Sequence, residues 1–104
     1  MSEILHKDII LQKLTASKQE LFGFGVEQIG LFGSYLNNKA TPDSDIDLLV
    51  EITASYKTFR NFLALNYYLE DLFGCKVELV TKQSLSPYIG PHILKAVEYA
   101  SLAS

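Results

Sequence analysis

The chain is poor in the residues that staple or anchor a protein. It has one cysteine, Cys75, so no internal disulfide can form, and a reducing cytoplasm is the expected setting. Strong positive charge is scarce too. Eight of the nine basic residues are lysines, and Arg60 is the only arginine, which excludes an arginine-rich phosphate clamp. A formal net charge of −3 and a pI near 5.2 exclude the basic footprint that general nucleic-acid or anionic-membrane binding requires. No apolar run approaches the roughly 18 residues of a membrane span. Glu3, Lys7 and Asp8 interrupt the first apolar stretch, so no secretory leader is expected. Repeats and low-complexity tracts are missing. What remains is ordinary for a globular chain: 104 residues, 48% hydrophobic and 20% charged. One domain over 1–104 is expected, with a core modest enough that a partner would add stability.

Periodicity predicts a helix over 5–22, where Leu5, Ile9, Ile10, Leu14 and Leu21 recur at helical spacing. "GFG" at 23–25 stops it. A strand is expected at 26–32, "VEQIGLF", followed by a Gly33-Ser34 turn and a short helical segment. That segment ends near Asn37-Asn38, because asparagine tolerates the left-handed conformation. "TPDS" at 41–44 is a turn, and "DIDLLVEI" at 45–52 a strand whose "LLV" centre suits burial on both faces. A second long helix is expected over 55–74. Phe59, Phe62, Leu63, Leu69, Leu72 and Phe73 form its apolar stripe, and Gly74 closes it. "CKVELVT", 75–81, is a third strand, and a terminal helix is expected over 92–103. The order α-β-turn-β-α-β-α implies an α/β (α+β) domain, a small mixed sheet flanked by helices.

Chemistry concentrates in 45–47. Strand residues i and i+2 share a face, so Asp45 and Asp47 project side by side, roughly 6–7 Å apart at the backbone. Unpaired carboxylates that close repel, and their burial is costly. Divalent cations resolve the conflict, a pair of them about 3.5–4 Å apart. Mg²⁺ suits carboxylate oxygens, water and substrate phosphates. If the third strand neighbours the second, Glu78 reaches the same face and completes a three-carboxylate set. Asp43 reads as a turn residue. Asp43, Asp45 and Asp47 also match positions 1, 3 and 5 of a calcium loop, but Leu48 and Ala54 stand where that loop needs Gly and Glu, which excludes it. Gly33-Ser34, between a strand and a helical turn, suits an anion: the glycine allows close approach and the serine hydroxyl donates to a phosphate oxygen.

"LFGSY", "DSDIDLLVEI" and "VELVTKQSLSPYI" together resemble the DNA polymerase β-type nucleotidyltransferases, and in particular the minimal nucleotidyltransferases. The resemblance runs from about Ile4 to Tyr99. It implies a polymerase β-like mixed sheet and Mg²⁺-dependent transfer of NMP, as AMP from ATP or another NTP, to a protein hydroxyl. Asp45, Asp47 and Glu78 would hold two Mg²⁺ ions and carry catalysis, with Asp47 or Glu78 as base. Gly33 and Ser34 would bind the nucleotide. It also implies a HEPN-domain partner, a ribonuclease toxin that this chain would silence as antitoxin. Family arginines are missing at two segments: Leu36-Asn37-Asn38 stand where a small residue and Arg-Gly are usual, and Gly90-Pro91-His92-Ile93 replaces an "R-P-R-I" segment. Lys39, Lys76 and Lys82 are the candidate substitutes. The alternative is a catalytically weak fold that neutralises its partner by contact; a small-molecule modifier lacks the second domain for an acceptor pocket. Tyr67, Tyr68, Tyr88 and Tyr99 read as core, and surplus aromatics on the 55–74 helix as candidates to meet a partner or a second copy in a homodimer. His6 and His92 read as surface residues, and Cys75 as a buried small apolar one.

Overall fold

The computed structural model describes residues 5–102. The first helical stretch is two helices, α1 (Lys7–Ala16) and α2 (Lys18–Gly23). His6 caps α1, its Nδ1 accepting the Asp8 N–H at 3.2 Å. The expected single helix breaks at Ser17, where φ −97° and ψ 15° leave helical geometry and the N–H is shared between the Lys13 and Leu14 carbonyls. The break re-aims the chain so that Leu21 is fully buried, as Ile10 and Leu14 are.

Four strands form one sheet: β1 (Val26–Phe32), β2 (Ile46–Ile52), β3 (Val77–Thr81) and β4 (Glu98–Tyr99), in the order β3-β2-β1-β4. β1 pairs antiparallel with β2 and β4, and β2 pairs parallel with β3. The sheet is therefore mixed, as expected. Register places Leu31, Leu48 and Leu79 in one row across three strands, all buried. Leu48 and Val50 point to one face and Leu49 to the other, and all three are at most 1% exposed.

Helix α3 (Phe59–Phe73) contributes Leu65, Leu69 and Phe73, four residues apart, to the same core. Thr58 accepts the Asn61 N–H at 3.1 Å at its start; Gly74, left-handed at φ 69°, donates to the Glu70 carbonyl at its end. The helix starts later than 55 because Ala54–Tyr56 is a separate 3₁₀ turn. Its buried face is also rotated from the expected stripe, leaving Phe59 79% exposed.

The C-terminal end departs most from expectation. Helix α4 covers only Gly90–Ala96; Val97 turns extended, and Glu98–Tyr99 pairs with Gly30 and Leu31. Ala103 lies outside the described residues. The cause is the free edge of β1, whose backbone groups need partners. The Ala100 N–H extends the pairing to the Ile29 carbonyl at 2.9 Å. Ala100 and Leu102, two residues apart and so on one side of an extended segment, join the core. No described helix is long and apolar enough to cross a membrane.

β4 lies close because position 30 is glycine. A Cβ there would stand 2.6 Å from Val97 Cγ2 and 3.0 Å from the Glu98 carbonyl oxygen. Gly30→Val is therefore expected to lower unfolding stability by about 1–3 kcal/mol through overpacking and to deprotect the β4 amides in hydrogen exchange. Unchanged denaturant midpoint and exchange would refute this packing role.

Candidate active site

The parallel register sets Asp47 directly beside Glu78. The condition placed on Glu78 is met, since β3 does neighbour β2. On the other side Asp47 pairs with Phe32, so the next residue, Gly33, arrives at the same point. Asp45 lies one residue outside β2, which begins at Ile46, and is exposed. The Ile46 N–H bonds the Lys76 carbonyl at 2.9 Å and closes this end of the β2–β3 ladder.

Asp47 is half-buried, and its carboxyl is pushed up from 3.8 to about 7. Burial contributes most, followed by a hydrogen bond with Glu78 and the negative charges of Glu78 and Asp45. Two carboxyls hydrogen-bond only when one keeps its proton. Asp45 acts on its surroundings through charge: after burial, it helps raise the thiol of Cys75 and, with Cys75, the phenol of Tyr35. Among the described residues no three His, Cys, Asp or Glu side chains already converge as a metal-ligand group. The compact part of the expected set is a pair, with Asp45 as its charged neighbour. A divalent cation fits these residues chemically. All the donors are carboxylate oxygens, and the charge that burial penalises on Asp47 is the charge a hard cation would neutralise.

Gly33 does more than admit a ligand. It is left-handed at φ 79°, and a Cβ built on it would overlap the Asp47 carboxylate. The segment that follows is a hydrogen-bonded turn rather than a helix. The Asn37 N–H reaches the Gly33 carbonyl (3.1 Å), and the Lys39 N–H reaches the Ser34 carbonyl (2.8 Å). Asn38 is left-handed at φ 59°, as its residue type allows. The backbone N–H groups of Ser34, Tyr35 and Leu36 make no hydrogen bond among the described residues. They are the free donors an anion would use. Thr41–Ser44 is the expected turn, tied by a Ser44 Oγ contact to the Thr41 N–H at 2.9 Å, with Asp43 exposed.

Several expectations change. Lys82 is not at the site: its Nζ lies 3.3 Å from Glu51 and 3.4 Å from Gln28, above the Tyr99 ring, toward the opposite end of β2. Tyr67 and Tyr88 are 61% and 85% exposed and so are not core; Tyr68, packed on Phe24 with ring centroids 5.5 Å apart, is the one that fits the expectation. Cys75 is half-buried. His6 and His92 are exposed, as expected. Buried Tyr35, next to the anion turn, was not singled out from sequence; its place one residue after Ser34 was the available signal. Two surface hollows lie elsewhere. One of about 570 Å³ separates α1 from Tyr99–Ser101, and one of about 340 Å³ lies at Phe59 and Phe62.

Comparison with known proteins adds a second line of observation. The nucleotidyltransferase domain family matches residues 11–100. Protein adenylyltransferase MntA of Thermococcus cleftensis is 45% identical over 87 residues, covering 83% of this chain and 87% of that protein. A solved structure assigned as a minimal nucleotidyltransferase matches with a TM-score of 0.78 at 25% identity, covering 93% of this chain and 98% of that one. The fold recurs in an MntA–HepT toxin–antitoxin crystal structure, with a TM-score of 0.63, 19% identity and coverage of 92% and 73%. It recurs again in a toxin–antitoxin structure with AMP-PNP, with a TM-score of 0.63, 20% identity and coverage of 84% and 74%.

Two outcomes follow from this geometry. Gly33→Ala forces a left-handed alanine, at a cost of about 1–2 kcal/mol, and displaces the Asp47 carboxylate. Loss of stability and a return of the Asp47 pKa toward 3.8, followed by NMR, are expected together. A stable variant with Asp47 unmoved would contradict this. The second outcome concerns pH. Asp47 binds its proton more tightly folded than unfolded, so its ionisation opposes folding. The penalty is full above about 7, fades as pH falls toward 3.8, and is gone below that. Without divalent cations, Asp47→Asn should raise Tm by a few degrees in mildly alkaline buffer and lose that advantage in acid. An equal gain at both ends would refute the assignment.

Proposed function

Because the chain belongs to the nucleotidyltransferase domain family, we propose that it is a protein adenylyltransferase that moves AMP from ATP to a hydroxyl of a partner protein. We infer further that the partner is a HEPN-domain toxin, which the transfer silences. One observation carries the reading: the Asp47–Glu78 pair sits next to Asp45 and against the Gly33-Ser34 turn, so an acidic centre and an anion turn adjoin. Support comes from the adenylyltransferase name of the 45% identical MntA, and from the MntA–HepT and AMP-PNP structures that share the fold.

In this reaction the acceptor oxygen attacks the α-phosphorus in line. The new P–O bond forms as the bond to pyrophosphate breaks. The Ser34 hydroxyl and the free N–H groups of 34–36 orient the phosphates. The acceptor's proton is taken up at the Asp47–Glu78 pair. Asp45, Asp47 and Glu78 would hold two Mg²⁺ ions, which acidify the acceptor hydroxyl and neutralise the leaving group when bound. A second reading, neutralisation by contact alone, is favoured by Asn37 standing where the family usually has arginine.

The test uses α-labelled ATP, Mg²⁺ and the HEPN-domain protein. Label on the partner, reduced by about 10²-fold or more in Asp45→Asn and Asp47→Asn, is the expected result. An unlabelled partner that is neutralised equally by wild type and Asp47→Asn would establish contact alone. In the same buffer, Mg²⁺ should raise the Tm of the wild type but not of Asp47→Asn; an equal rise in both would place the ion elsewhere.

A further inference from the structure

A triphosphate brought next to three acidic residues needs positive charge, and Asn37 supplies none where the family usually has arginine. Other basic residues are committed or distant. Lys7 pairs with Glu98 at 3.4 Å, Lys13 reaches the Leu72 carbonyl, and Lys82 is held by Glu51. Lys57 borders the hollow at Phe59, and Arg60 follows that residue in the first turn of α3. Lys18 opens α2 and Lys95 ends α4.

Two lysines remain at the site end of the sheet, and the backbone separates their roles. Lys76 immediately precedes Val77, the partner of Ile46, so it lies alongside Asp45 and two residues before Glu78, on the carboxylate side. Lys39 belongs to the anion turn. Its N–H closes on the Ser34 carbonyl at 2.8 Å, and left-handed Asn38 reverses the chain to bring it there. Lys39 is exposed and makes no ion pair among the described residues. Its flexible stem carries a point charge next to the serine that would meet the phosphates.

Resting on the adenylyltransferase reading, we propose that Lys39 binds the β- and γ-phosphates of the nucleotide, taking the electrostatic place of the missing motif arginine. Asn38 is what makes this work: a left-handed residue at that position returns the chain so that the next side chain serves the turn.

Calorimetric binding to the full chain decides it, with AMP-PNP and Mg²⁺ as one probe and AMP, which lacks the two outer phosphates, as the other. Lys39→Ala should weaken AMP-PNP by roughly tenfold or more, the worth of a charge-assisted hydrogen bond, with AMP affinity and Tm unchanged. Lys39→Arg should restore AMP-PNP binding. Unchanged AMP-PNP affinity in Lys39→Ala overturns the proposal, as does equal weakening of both nucleotides, or an outer-phosphate effect confined to Lys76→Ala. A wild type that binds AMP-PNP while Lys39→Ala behaves identically sinks this inference alone. A wild type that binds neither nucleotide sinks the adenylyltransferase reading with it.

Discussion

Asp47 and Glu78 are held side by side because β2 and β3 run parallel in a register that pairs those two positions. Their backbone positions cannot separate without breaking a ladder whose next row, Leu48 with Leu79, is core. Gly33 then closes on Asp47 from β1 and keeps water from one side of its carboxylate. The outcome is a negative charge that the fold disfavours, and burial with the neighbouring carboxylates pushes the Asp47 carboxyl up to about 7. Ionisation of a carboxyl in this setting opposes folding, and strain at functional positions is common where the surrounding core over-determines the geometry.

The remaining architecture serves that corner. Antiparallel β1 delivers the Gly33 turn to the start of β2, and parallel β3 delivers Glu78 to the same start. A parallel β2–β3 pair needs a crossover, which α3 supplies while filling the core with Leu65, Leu69 and Phe73. Two left-handed residues shape the anion turn. Gly33 is needed because a side chain would meet Asp47, and Asn38 because the chain must double back to the Ser34 carbonyl. Lys82 fastens the opposite end, where one ammonium touches residues of β1 and β2 and lies over the β4 ring of Tyr99.

Much of the candidate site's arrangement is legible in the sequence because its determinants are local. Asp45-x-Asp47 at the head of an apolar strand, and Gly33-Ser34 after one, announce themselves by spacing, and α3 announces its own end at Gly74. Glu78 was legible only conditionally, since strand neighbourhood is a tertiary fact. The missed features are tertiary throughout. β4 is two residues long, and it is specified by the free edge of β1 and the missing side chain at Gly30 rather than by its own pattern. Ser17 interrupts a helix that periodicity alone would continue. Lys82 looked free because its partners, Gln28 and Glu51, are 54 and 31 residues away in sequence. Tyr67 and Tyr88 are amphipathic, and amphipathic residues do not declare which side they face.

We propose that Asp47 and Glu78, set side by side by the β2–β3 register, hold a divalent cation. Diffraction from crystals grown with Mn²⁺ and AMP-PNP, read by the anomalous signal of the metal, tests it most directly. The account predicts a peak bound by Asp47 and Glu78, with Asp45 turned toward it and the carboxyl–carboxyl hydrogen bond gone. Nucleotide bound with that hydrogen bond intact, or manganese lodged away from these three residues, would contradict it.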